Sequence, residues 1–136
     1  MPSHGTFTLT DSAAATHVFT RVNINGSNVR FQDRSTPSAL GWMNVETNLR
    51  PPLAGNGPKV YKETLKVTMP ITVDEVINGV TVPKVVRTHV CEITNVTPAD
   101  SPETERELFS SLVADMLANA TIKDLTVQLL PLNGSA

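Results

Sequence analysis

The chain has 136 residues, a formal net charge of -2 and a single cysteine. That length suits one domain with one core, the charge excludes a generally basic nucleic-acid binder, and one cysteine excludes an internal disulfide framework. Aromatic residues are only 4% of the chain, so Val, Leu and Ile must carry most of the core. Six of the eleven basic residues lie between Arg50 and Arg87, and six of the thirteen acids from Asp100 onward. Any attraction for phosphate must therefore come from local clustering. Met1-Pro2-Ser3-His4-Gly5 has no charged segment leading into an apolar run, and no segment approaches a membrane span. The expectation is a protein made in the cytosol.

Thr6 to Thr10 and Thr16 to Ile24 alternate apolar and polar residues and predict an antiparallel hairpin over about 6–24. Asn25-Gly26 is a strong turn signal leading into a short strand, Val29 to Gln32. Asp33 to Gly41 is rich in Ser, Thr, Pro and Gly and predicts a loop, with Trp42 packing at the sheet end. From Met43 the side chains divide, with Val45, Thr47 and Leu49 on one face and Asn44, Glu46, Asn48 and Arg50 on the other. Pro51-Pro52 ends that strand, and Leu53 to Pro58 predicts a loop. Lys59 to Met69 predicts a long strand with Lys62, Thr64, Lys66 and Thr68 opposite Leu65, Val67 and Met69. Glu63 interrupts the apolar face, which suggests an edge or a contact with another chain. Pro83 to Val96 sets Thr88, Val90, Glu92 and Thr94 against Arg87, His89, Cys91 and Ile93.

Ser101 reads as an N-cap with Pro102 at the first helical position, and Glu103, Glu105 and Glu107 suit the positive end of the helix dipole. Leu108, Phe109, Leu112, Val113, Met116 and Leu117 form one apolar stripe. Thr121 can cap a second short helix, and Pro131 and Gly134 mark the tail. The whole predicts a single α+β domain over 1–136: an antiparallel β-sheet with an N-terminal β-hairpin, sheet strands over about 29–96 and two C-terminal helices over about 102–129. Helices at one end of a chain can shield only one sheet face. The expected consequence is an interlocked homodimer with a second, polar sheet face left open.

The order of elements resembles the coat proteins of the small single-stranded RNA bacteriophages, the leviviruses. The residues that carry the resemblance are the strand Tyr61 to Pro70, the segment Asn78-Gly79-Val80-Thr81-Val82-Pro83, and the tail from Ser101-Pro102-Glu103 through Leu117. It is good from about Trp42 to Leu130 and weaker before. The resemblance implies an RNA-phage coat-protein fold and a homodimer with one continuous sheet. Many such dimers would close an icosahedral shell around single-stranded RNA, in a virion whose subunits are made in the bacterial cytoplasm. It also implies that the open face binds a genomic RNA hairpin and represses translation of a phage gene. Carried over by position, the RNA-binding residues are Glu46, Asn48, Arg50, Lys62, Thr64, Lys66, Val90 and Glu92. Alternation alone places the same residues on the open face. Val90 departs from the family, which commonly has a base-stacking tyrosine there, and Glu46 and Glu92 bring the face to about neutral. The segment Ile71 to Val82 resembles the loop around the shell's symmetry axes, with Asn78, Gly79 and Pro83 supplying adaptability.

Two other readings stand beside this one. A dimeric, sheet-based RNA regulator would need no shell. An enzyme would have to use His89 and Cys91, two apart on one strand face, but they sit among core-facing positions with no orienting acid. His4, His17 and His89 are scattered, so no metal site is expected. No cofactor and no membrane partner are expected either.

Overall fold

Alternating β-branched and polar residues favour extended chain, and six segments form strands: β1 (Thr6–Thr10), β2 (Thr16–Asn25), β3 (Asn28–Asp33), β4 (Met43–Arg50), β5 (Val60–Ile77) and β6 (Val80–Pro98). They make one antiparallel sheet in chain order. The computed structural model describes residues 5–55, 57, 59–129 and 131. The expected features at Met1 to His4, Pro58 and Gly134 lie outside the described residues. The chain divides into two units, Met1–Pro98 with the sheet and Ala99–Ala136 with two helices.

Two tight turns set the register. Between β2 and β3 the central residues are Gly26 and Ser27, and Gly26 takes φ +61 at the first of them, as a type II′ turn requires. Between β5 and β6 both Asn78 (φ 51) and Gly79 (φ 79) are left-handed, the type I′ pattern that Asn-Gly favours. The segment 71–82, read from the sequence as a loop, is instead paired strand on either side of that turn. Ile77 faces Val80, Asp74 faces Pro83 and Thr72 faces Val85. The physical reason is composition: Ile71-Thr72-Val73 and Val76-Ile77 are answered across the turn by Val80-Thr81-Val82, all β-formers. One register shift at Ile71/Thr72 adjusts the ladder.

Directly paired residues share a face, so the pairing sorts the side chains. One face carries Phe7, Phe19, Phe31, Val45 and Val67. Phe19 (2% exposed), Val45 and Phe31 are buried, with Phe7, Val29, Met43 and Val67 packed against them. The Phe7 ring stacks on Phe19 at 5.2 Å and meets Phe31 edge-on at 4.9 Å. Such pairs add about 0.5–1.5 kcal/mol beyond area burial. Four phenylalanines are few, yet three of them form this centre. Trp42 packs at the sheet end, its Nε1–H donating to the Thr36 carbonyl at 3.0 Å with the Arg34 guanidinium 4.5 Å above the ring.

Along β5 and β6 the same apolar face is less covered: Leu65, Met69, His89 and Cys91 are exposed. The sequence placed His89 and Cys91 among core-facing positions. They do lie on the apolar face, opposite Met69 and Val67, but both are exposed. Glu63, expected near an edge or a contact with another chain, is not at an edge: it sits on β5 between Leu49 of β4 and Asn95 of β6. Thr97 Oγ1–H donates to its Oε2 at 3.2 Å, which satisfies the carboxylate inside the sheet.

In the second unit α1 spans Glu103–Ala118 and α2 spans Ala120–Val127. Pro102 keeps an extended backbone and is the cap rather than the first helical residue, its carbonyl accepting from the Glu105 and Arg106 amides. Glu103 and Glu105 occupy the first turn, where negative charge complements the dipole. Asn119, not Thr121, caps α2: its Oδ1 accepts from the Thr121 and Ile122 amides at 2.9 and 3.4 Å. Neither helix buries a single residue, and Leu108, Leu112 and Phe109 are more than half exposed.

Candidate nucleic-acid interface

Opposite the phenylalanine centre, the sheet presents a polar face whose rows are fixed by register. Gln32, Asn44, Thr68 and Val90 form one rung, and Arg30, Glu46, Lys66 and Glu92 the next. Asn28, Asn48, Thr64 and Thr94 follow, then Arg50, Lys62 and Val96. All eight residues expected from the sequence therefore lie on one face in consecutive rungs of β4, β5 and β6. Same-face neighbours are about 7 Å apart along a strand and about 4.8 Å across strands, so this field measures roughly 20 by 10 Å. That is the scale of a few nucleotides.

Register adds a strand that the sequence reading left out. Arg30 of β3 faces Glu46, its Nε–H donating to Glu46 Oε1 at 3.1 Å with Nη2 in an ion pair 2.9 Å from the same oxygen. Half-exposed, this pair contributes little stability, but it holds the guanidinium in place and offsets a carboxylate that would repel phosphate. The face thus carries four cations, Arg30, Arg50, Lys62 and Lys66, against Glu46 and Glu92, and is more positive than β4 to β6 alone suggest. Among the described residues Arg50, Lys62 and Lys66 have no carboxylate partner within 4 Å. Their charge is available to a ligand.

Two adjoining open hollows lie on this floor. One, of about 180 Å³, is lined by Asn28, Glu46, Thr47, Asn48, Thr64 and Lys66. The other, of about 290 Å³, is lined by Asn23, Asn25, Asn28, Val29, Arg30, Glu46 and Thr47. Val90 is exposed, and among the described strand residues the polar face carries no aromatic ring. Contact with bases would rest on amides, hydroxyls and cations rather than stacking.

Asn78 and Gly79 form the tip of the β5–β6 hairpin, and Pro83 lies within β6 opposite Asp74. They are not part of the polar floor. His89 and Cys91 lie on the other, apolar face, opposite Met69 and Val67.

The sequence reading missed a charged cluster outside the floor. The His17 ring is held between two carboxylates, Nδ1–H donating to Asp33 Oδ2 at 2.9 Å and Nε2–H to Asp11 Oδ2 at 2.8 Å. Only the imidazolium has both N–H groups, so this geometry favours the charged ring. The hydrogen bond to Asp11, then that to Asp33, raises the His17 pKa. The bond from His17 lowers that of Asp11, helped by the Ala15 amide. Burial pushes Asp33 upward, but the His17 and Ser35 bonds outweigh it and the net shift is downward. The cluster ties the β1–β2 turn to the end of β3. Asp11 and His17 straddle a predicted turn, which is a faint signal; Asp33 joins them only through register.

The fold is shared with known particles. The structure matches a virus-like particle of Beihai levi-like virus 21 at a TM-score of 0.83 and 24% identity, covering 98% of this chain and 100% of that one. It matches a virus-like particle of bacteriophage ESE058 at 0.83 and 17%, covering 95% and 98%. The protein capsid of bacteriophage GA matches at 0.73 and 18%, covering 90% and 93%. No curated protein matches by sequence. The family profile of the levivirus coat protein, however, matches residues 2–132, and the chain belongs to that family, as a structural capsid subunit and not an enzyme.

Proposed function

We propose that this capsid subunit, acting as a unit over 1–136, forms homodimers that assemble into an icosahedral shell around single-stranded RNA. We further propose that its polar sheet face binds a genomic RNA hairpin and so represses translation. The observation that carries the RNA reading is the alignment of Glu46, Asn48, Arg50, Lys62, Thr64, Lys66, Val90 and Glu92 in adjacent rungs, with three of the cations unpaired. Phosphate contacts by such cations supply affinity, and amides and hydroxyls supply base discrimination.

Dimerisation is supported by two uncovered surfaces. β6, 19 residues long, is the last strand in the order of the described sheet and is laddered to β5, and a strand at a sheet edge is a template for pairing with the same strand of a second copy. The apolar stripe of α1 and the Leu65–Met69 face of β5 are both exposed, and helices of a second copy would cover the latter. In the shell, the Asn78-Gly79 tip and Pro83 would adapt the β5–β6 hairpin around the symmetry axes. Synthesis would take place in the cytoplasm of a bacterial host.

Replacing Lys62 and Lys66 by Ala tests the RNA reading. Particles should still form. Binding to single-stranded RNA should weaken, and the slope of log affinity against log salt should fall by about 1.4, as the loss of two phosphate contacts implies. Unchanged affinity and slope would remove these lysines from the interface.

A further inference from the structure

The larger hollow lies beside the β2–β3 turn, and of the residues that the family resemblance marks only Glu46 lines it. Its wall brings together three asparagines, Asn23 and Asn25 of β2 and Asn28 of β3. Asn25 and Asn28 pair directly across the Gly26-Ser27 turn, and Asn23 pairs with Arg30 after a register shift in β2 at Arg21/Asn23. That shift is a bulge. A bulge re-aims side chains, and here it leaves Asn23 and Arg30 as cross-strand partners at the hollow.

None of the three side-chain amides makes a hydrogen bond among the described residues, so each offers two donors and an acceptor. Arg30 on the same wall is fixed through two of its nitrogens to Glu46 Oε1. Its remaining N–H groups stay available to a phosphate or a base edge. Amides in this arrangement match the paired donor and acceptor edges of an unstacked base, which single-stranded RNA can present. Among the described strand residues the polar face has no ring to stack upon, so base contact there would rest on hydrogen bonding.

We propose that this hollow holds one unpaired nucleobase of the encapsidated RNA, bonded by the amides of Asn23, Asn25 and Asn28, with Arg30 on the adjoining phosphate or base edge. The inference rests on the RNA-binding reading and extends the interface from β4–β6 to β2 and β3.

The test uses particles expressed in bacteria with the RNA they package. Ultraviolet cross-linking followed by trypsin and mass spectrometry should give a nucleotide adduct on the peptide from Val22 to Arg30, alongside adducts on β4 and β5 peptides. In the double variant Asn23→Ser, Asn28→Ser the Val22–Arg30 adduct should fall about thirtyfold, as the loss of two net hydrogen bonds implies, with the β4 and β5 adducts retained. If that variant does not assemble, fragment ions locating the wild-type adduct between Asn23 and Asn28 support the site, and location elsewhere overturns it. Adducts on β4 and β5 without one on Val22–Arg30, or an unchanged yield in the assembled variant, would overturn the inference and leave the RNA reading standing. No adduct on any peptide would overturn both.

Discussion

β1 to β4 and the pair β5–β6 belong to one sheet but differ in how they treat apolar side chains. In the first region the same face closes over Phe19, Phe31 and Val45, all buried. Along the second, Leu65 and Met69 remain open on that face, and Val90 and Val96 on the other. The first region buries a small core there, with Val67 of β5 packed against it, while Leu9, Ile24 and Leu49 at its margins stay exposed. The second carries exposed apolar side chains, and so do α1 and α2, neither of which has a buried residue. Such patches are interaction surfaces in the making.

The largest effect that bears on this contrast is expected at Phe19. Phe19→Ala should destabilise the folded protein by about 3–5 kcal/mol, measured by denaturant unfolding, because the surrounding rings can only partly collapse into the space. Leu65→Ala in an isolated subunit should cost far less, since Leu65 is 41% exposed there. Equal costs would erase the distinction between the two regions.

Leu112→Glu comes next. If a second copy covers the α1 stripe, a buried unpaired carboxylate should block dimer and shell formation, at a cost of about 3 kcal/mol or more. If the stripe stays in water, the effect should be within about 0.5 kcal/mol, as for ordinary surface positions. Size measurement of the purified variant separates the two.

Much of this was legible in the sequence. Period-two alternation places Lys62, Thr64 and Lys66 on one face without any knowledge of partners, and register aligns them with Glu46 and Asn48. What alternation does not supply is the identity of the neighbouring strand. Arg30 and the three asparagines therefore stayed outside the site, because their approach to Glu46 depends on the β3–β4 register and a bulge in β2. The segment 71–82 was misread for a different reason: likeness to an axis loop was weighed above the β-branched residues that make it a hairpin. Caps shifted by one or two residues, because Pro102 stayed extended and Asn119 could bond two amides that Thr121 could not reach.

The smallest effect concerns the His17 cluster, which braces the well-packed region. The His17 pKa is raised, so its contribution is fully present below the ordinary value of 6.5 and is lost as pH rises through the raised folded value. Asp11 and Asp33 are lowered, so theirs is present above 3.8 and is lost as pH falls through their lowered folded values. Stability from the cluster should be greatest between those limits. Thermal unfolding from about pH 5 to about pH 8 should show a decline on the alkaline side that His17→Gln removes. Parallel profiles for the two proteins would mean that the ring carries no proton-linked stability.

The central claim is that the β5–β6 region and the helices need a second copy to be covered, and that the resulting assembly holds RNA. Light scattering with absorbance at 260 and 280 nm on the bacterially expressed protein tests it directly. The account predicts a particle of many subunits with bound nucleic acid. A stable, RNA-free species near the 14.7 kDa of one chain would contradict it.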